Sequence, residues 1–405
     1  MSDEWVETTL GAVTSFASGY SFPPAEQGHE DGAYPFYKVS DMNRSGNETW
    51  MSVAENWVDD EAVARMRAKV WPRGTVVFPK VGAALLTEKR RILSRPALFD
   101  NNVMGLIAGS ELLPEFLFAQ MQTVALGEFA QQGAVPSVNQ GHVASIPITL
   151  PPLPVQRRIV DLMTHVDSHL ANLRAERKAV EGDQRRMRDS VMKAGESRRA
   201  GDVFDILMGR QRSPSRATGP NMTRYLRAAN VKDGWLELND VKQMDFDAAE
   251  RNKYGLQVGD VLVSEGSGSA DAVGAAAQWN GEIDGDVCIQ NTLLRYRAVP
   301  SVTVPSFVHH WCRWAYETGL FRDTATGTNI LHIGSTRAVE MTVGWRVPEM
   351  QERQCAALDA YDRTIRALAA EAEALDQART VLLSALLTGE LEIDLAYDSL
   401  LDEVA

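Results

Sequence analysis

The residues best able to do chemistry in this 405-residue chain are cations and amides that recur in pairs. The stretch TEKRRILSR, Thr87–Arg95, places Lys89, Arg90 and Arg91 together, with Arg95 close behind. GRQRSPSR, Gly209–Arg216, supplies Arg212 and Arg216, and TRYLR, Thr223–Arg227, supplies Arg224 and Arg227. Two further stretches match at an offset of 189 residues, FYKVSDM (Phe36–Met42) and YLRAANV (Tyr225–Val231). They set Lys38 against Arg227 and Asp41 against Asn230, and Arg44 and Lys80 extend the first set. Cationic side chains capture phosphates, while Arg, Asn, Gln, Ser and Asp can read base edges. A run of charge taken alone is more often a solvated surface. Recurrence at equivalent positions is what makes these residues candidates.

Other chemistry lacks its residues. The chain has no Gly-Lys dipeptide and hence no phosphate-cradling GxxxxGK[ST] loop. EGSGSADAVG, Glu265–Gly274, lacks the third glycine of a dinucleotide fingerprint and reads as a flexible loop. His309 and His310 are adjacent, so they should not share a helix face, and His165 and His169 have no third ligand. Structural or surface histidines are expected, with no metal site. Cys288, Cys312 and Cys355 have neither metal nor disulfide spacing. Glu176 and Lys178 loosely suggest a nuclease pair but should lie on a solvated helical face. No nucleophile–base arrangement stands out, so the chain does not read as an enzyme by itself.

The candidates must be positioned by something rigid. Length argues for two or more domains, and a hydrophobic content of 44% is ample for their cores. No apolar run reaches the ~18 residues of a membrane span, and the N-terminus lacks a signal peptide, so a soluble cytoplasmic protein is expected. Net charge is −13, which argues against a uniformly basic surface, although 151–195 is net +3 and the tail 390–405 carries six acids and no base.

Prolines 151, 152 and 154 mark a helix start near residue 154, and Gly195 its end. A second helix should run from near Pro348 to Gly389. Its apolar seam is Leu358, Tyr361, Ile365, Leu368, Ala372, Leu375, Arg379, Leu382 and Leu386, in alternating steps of three and four. Subtracting 195 gives the seam of the first: Met163, Val166, Leu170, Leu173, Arg177, Val180, Gln184, Met187 and Val191. A 3.5-residue period sustained this long predicts a coiled coil, most simply an antiparallel pair within the chain.

The globular parts repeat as well, through the pairs WPRGTVVF and LQVGDVLV, NVM and NTL, PEFLFAQM and PSFVHHWC, and GAVPSV and GTNILH, at offsets of 185, 189, 191 and 194. Matches in order with a drifting offset are the mark of a duplication with loop insertions. The expected fold is α+β: two tandem mixed α/β domains, 1–150 and 196–345, separated by helices 151–195 and 346–389, with a pseudo-twofold relation and a tail, 390–405.

LPPLPVQRRIV, Leu150–Val160, resembles the specificity subunit of type I DNA restriction-modification enzymes, as does the opening EWVETTLGAV, Glu4–Val13. The likeness spans nearly the whole chain; VPEMQERQC, Val347–Cys355, departs from it in lacking the double proline and double arginine. The resemblance implies a non-catalytic subunit for phage defence in which each globular domain, a target-recognition domain, reads half of a bipartite site in double-stranded DNA. The helices would set the spacing. Two methyltransferase subunits would dock through Pro152, Gln156, Arg157 and Arg158 at one helix start and Gln351 and Arg353 at the other. They would flip adenines out and bring S-adenosylmethionine. Restriction (translocase-nuclease) subunits would bring ATP and magnesium, so this chain binds no cofactor itself. The alternatives are the recognition subunit of a related restriction or phage-defence system, and a coiled-coil protein–protein adaptor.

Overall fold

The computed structural model describes residues 5–131, 135–267, 269, 272–328 and 330–393. Contacts gather the chain into two compact units, Met1–Asn172 with Ala372–Ala405, and Leu173–Glu371. No described helix is long and apolar enough to cross a membrane. The acidic stretch 394–405 lies outside the described residues, and the matched stretches Gly133–Val138 and Gly327–His332 lie partly outside them.

In the first unit a five-stranded sheet runs in the order Thr14–Ser18, Val103–Ala108, Val76–Pro79, Arg91–Leu93, Trp50–Met51. Val76–Pro79 is buried along its whole length, as the unbroken apolar run in TVVF predicts. A three-stranded sheet centres on Tyr34–Tyr37, antiparallel to Asn56–Val58 and parallel to Leu98–Phe99. A two-stranded ribbon pairs Val6–Thr9 with Pro147–Leu150. Helix α1, Pro114–Thr123, opens on its proline, where the missing N–H costs nothing.

The second unit repeats this plan with one strand fewer in its larger sheet. Its four-stranded sheet is ordered Phe204–Met208, Leu293–Ala298, Val261–Ser264, Ala276–Gln278. Its three-stranded sheet centres on Met222–Leu226, again antiparallel to one neighbour, Lys242–Asp245, and parallel to the other, Val287–Ile289. The ribbon pairs Glu196–Arg199 with Thr342–Trp345. The duplication legible in five short sequence matches is therefore one of topology and strand direction. One difference lies in EGSGSADAVG: Gly266–Ser267 pairs with Leu331–His332 instead of looping freely, and buried Glu265 accepts a hydrogen bond from Gly334 N at 3.2 Å.

The long helices are α2, Leu153–Lys193, and α4, Pro348–Thr388; between them lies α3, Pro305–Glu317, the counterpart of α1. Gly195 and Gly389 follow the long helices with φ of +114° and +74°, and a Cβ on Gly195 would meet Trp345 O at 2.4 Å. The two units share α2 and α4 because each helix packs part of its length into each. In the first unit Ile159 and Met163 of α2 join Leu383, Leu386 and Leu387 of α4 in the core. In the second, Val191 and Met192 join Cys355 and Leu358. Each fully buried Leu contributes about 1.5–3 kcal/mol.

Two polar seam positions are satisfied across the pair, while Arg177 faces Glu181 of its own helix. Gln184 Nε2 donates to Leu358 O at 3.2 Å and to Asp362 Oδ1 at 2.6 Å in the second unit. Arg379 Nη2 meets Asp167 Oδ2 at 3.0 Å in the first. Within each unit rising numbers on α2 meet falling numbers on α4, so the pairing is antiparallel.

Candidate nucleic-acid interface

The second unit builds a polar groove at the end of its central strand. Met222–Leu226 runs into Arg227 and a short turn, Ala228–Asn230. The Asn230 side chain caps that turn: Oδ1 accepts from Arg227 N at 3.1 Å, and Nδ2 donates to Glu237 O at 2.8 Å and Asp240 O at 3.1 Å. A second constraint comes from Gly209, where a Cβ would lie 2.3 Å from Gln290 O. Only glycine lets these backbones touch, and the contact carries the loop with Arg212 alongside Gln290.

The groove, about 610 Å³, is lined by Arg212, Arg227 and Lys242 as cations and by Gln243, Gln290 and Thr292 as neutral hydrogen-bonding groups. Arg212 and Lys242 are exposed. Arg227 is half-buried and paired with Asp240 at 2.6 Å. Such a set can grip phosphates at its edge and offer amides to bases within; Gln can bond adenine at two points. Lys242, Gln243, Gln290 and Thr292 escape a sequence search for basic clusters. Gln290 had one signal, its place just before the NTL stretch that matches NVM.

The first unit repeats the frame with other residues. Asp41 Oδ2 accepts from Lys38 N at 2.7 Å, as Asn230 does from Arg227. Gly19, like Gly209, has no room for a Cβ, which would lie 1.8 Å from Asp100 O. Lys38 Nζ donates to Gln27 Oε1 at 3.0 Å and sits 5.4 Å from the centre of the Phe22 ring. Asp100 stands where the second unit has Gln290, and burial raises its carboxyl above the usual carboxylate range.

The structure separates the candidates that can meet DNA from those that cannot. Asp41 and Asn230 are buried, and their side chains are consumed in capping; they are scaffold, not base readers. Arg90 is buried too, bonded to Glu88 at 2.5 Å and to Val124 O at 2.6 Å, so it cannot reach a phosphate. Arg91 is half-buried and donates to the carbonyls of Arg90 and Met42. Lys89, half-buried, bonds Asn43. Arg44 is exposed but paired with Asp41 and Glu55, Arg216 is held by Glu250 at 2.9 Å, and Arg224 bonds Asp284 O at 3.1 Å. Among the described residues the half-buried Lys80 has no ion-pair partner.

The helix starts bring a second correction. Gln156 is fully buried: Oε1 accepts from Leu113 N at 2.9 Å, while Nε2 donates to Glu111 O and Pro151 O, each at 2.8 Å. Gln351 repeats the clasp, accepting from Val304 N at 3.2 Å and donating to Val302 O at 3.1 Å and Arg346 O at 2.5 Å. Leu113 and Val304 precede the first residues of α1 and α3. Each glutamine thus locks a long helix to the short helix of its unit, and neither can contact a partner subunit. Pro152 and Arg158 are half-buried, and Arg157 and Arg353 are exposed. Glu176 and Lys178 are exposed on α2, as are His165 and His169.

Residues 2–181 match the family described as the type I restriction modification DNA specificity domain. Through that stretch, somewhat less than half its length, the chain is similar to the type I DNA specificity family. Its fold agrees: an S subunit of a type I restriction-modification system from M. genitalium is 11% identical with a TM-score of 0.52, covering 95% of this chain and 96% of that one. A chain from a study of complex assembly and conformational transition of the type I R-M system is 18% identical with a TM-score of 0.60, over 96% and 98%. No curated protein matches the sequence.

Proposed function

We propose that this chain is the non-catalytic sequence-reading subunit of a type I restriction-modification complex, each unit reading one half of a split site in double-stranded DNA. The observation that carries this is the groove of the second unit, where Arg212, Arg227 and Lys242 ring Gln243, Gln290 and Thr292. Phosphate contacts fix position and amides select bases. In the first unit Lys38, Lys80 and Lys89 take the phosphate-contacting part. The helices α2 and α4, each 41 residues and about 60 Å long, set the gap between the half-sites. Two methyltransferase subunits dock near exposed Arg157 and Arg353 and supply S-adenosylmethionine. Translocase-nuclease subunits supply ATP and magnesium.

The test is to delete one heptad from each long helix, keeping the seam in register. The spacer shortens by about 10 Å, or roughly three base pairs. Methylation sequencing of a host carrying the variant should show the same two half-sites with a shorter gap. An unchanged gap refutes the spacer role.

A further inference from the structure

The second unit holds a side-chain cluster that DNA reading does not use. Helix α3 presents His309 and His310; helix α4 presents Asp359 and Asp362. His310 Nε2 lies 2.8 Å from Asp359 Oδ1 and 4.0 Å from Asp362 Oδ2, and His309 Nε2 lies 3.7 Å from Asp362 Oδ2. Adjacent helical residues normally diverge, but these rings sit 5.0 Å apart and the two carboxylates span the angle between them. A cleft of about 680 Å³ lined by Ser306, His309, Asp359 and Asp362 opens onto the group.

Two imidazoles and two carboxylates converge in the cluster. Two carboxylates three residues apart on one helix repel. Their close donors are neutral, Ser306 Oγ at 2.8 and 2.9 Å from Asp359 and Gln184 Nε2 at 2.6 Å from Asp362. The nearby guanidinium of Arg188 is held by Glu317 at 2.5 Å, and Arg363 and Arg366 on the cleft wall are exposed to solvent. The Nδ1 atoms of both histidines are buried with no hydrogen-bond partner among the described residues, so hydrogen bonding does not fully account for either ring.

We propose that His309, His310 and Asp362 bind one divalent transition-metal ion, zinc by preference, with Asp359 as the fourth ligand. One donor atom from each of the first three lies within 4.8 Å of the others. Bonds of about 2.0–2.2 Å to nitrogen and oxygen place tetrahedral ligand atoms about 3.3 Å apart, so small side-chain rotations close the site. Two imidazoles with carboxylates suit zinc better than magnesium or calcium. The ion takes the place of the Nε2 proton that His310 directs at Asp359 Oδ1; that proton moves to the unpartnered Nδ1, so the imidazole ligates in its neutral form. Its effect is to staple α3 to α4.

The full chain, freed of metal with a chelator and desalted, is titrated with zinc chloride against a chromophoric competitor, and retained metal is measured by mass spectrometry. One equivalent per chain and a higher melting temperature are expected. His309→Gln and Asp362→Asn should each weaken binding by more than about 100-fold, since even outer partners of metal ligands are worth 10–100-fold. Cobalt(II) added to the unaltered chain gives a second reading that needs no variant, the intense visible absorption of a tetrahedral ion. Sub-stoichiometric retention, uptake unchanged in both variants, or a weak octahedral cobalt spectrum each overturns the site.

Discussion

The two units agree in their frame and differ at their rims. Gln156 and Gln351 make the same three-bonded clasp, and Asp41 and Asn230 cap the same turn. Gly19 and Gly209 admit the same close approach. Around that frame Lys38 stands where Arg227 does, Asp100 where Gln290 does, and the remaining rim cations have no counterparts in kind. Residues alike in both halves hold the fold; on the proposed function, residues that differ would be the ones free to read different DNA.

The strongest challenge to the shared frame is a charge in its core. Leu358 and Leu386 are buried in the cores of different units. Leu358→Asp and Leu386→Asp should each cost about 4 kcal/mol or more, because a carboxylate there has no partner. Limited proteolysis read by mass spectrometry should show each variant releasing fragments from its own unit first. A native-like pattern for either would remove the seam from the argument. Next in size, Gln156→Leu and Gln351→Leu should each cost about 3 kcal/mol by stranding a buried N–H and two buried carbonyls. Calorimetry should find the two losses similar; a large loss for one alone would mean the clasps are alike in shape only.

These contrasts explain what was legible in the sequence. The long helices were, because 41 residues of seam repeat one signal many times and proline and glycine punctuate the ends. The duplication was, because apolar strands such as VVFP and VLVS keep their order. Site residues were legible only as types. Lys89, Arg90 and Arg91 look alike in a row, yet Arg90, just ahead of strand Arg91–Leu93, is buried and held by Glu88 and Val124 O, contacts that a run of like charges does not announce. Gln156 attracts notice through its position, but position does not distinguish a residue that faces a partner from one that binds its own chain. Gln290 gave little signal because a lone amide on a loop has no pattern.

A smaller effect separates the two reading faces. Gln290→Ala should relax base preference at one position by about 1–3 kcal/mol. Binding to a panel of single-base variants should show the change confined to the half-site of the second unit. Relaxation spread over both halves would mean that the amide supports the fold and selects no base.

The smallest effect tests the sorting of cations within one stretch. Lys89→Gln removes a half-buried charge and should leave the melting temperature alone while lowering the slope of log affinity against log salt by about 0.9, one phosphate contact. Arg90→Gln should do the reverse. It leaves Glu88 without its ion-pair partner and Val124 O without a donor, so the melting temperature falls. At a temperature where the variant is folded, its salt slope is unchanged, because a guanidinium sealed between Glu88 and Val124 releases no counterion from DNA. If the slope moved with Arg90 and not with Lys89, the stretch would have to turn over on binding, and the reading face of the first unit would need to be redrawn around the opposite side of strand Arg91–Leu93.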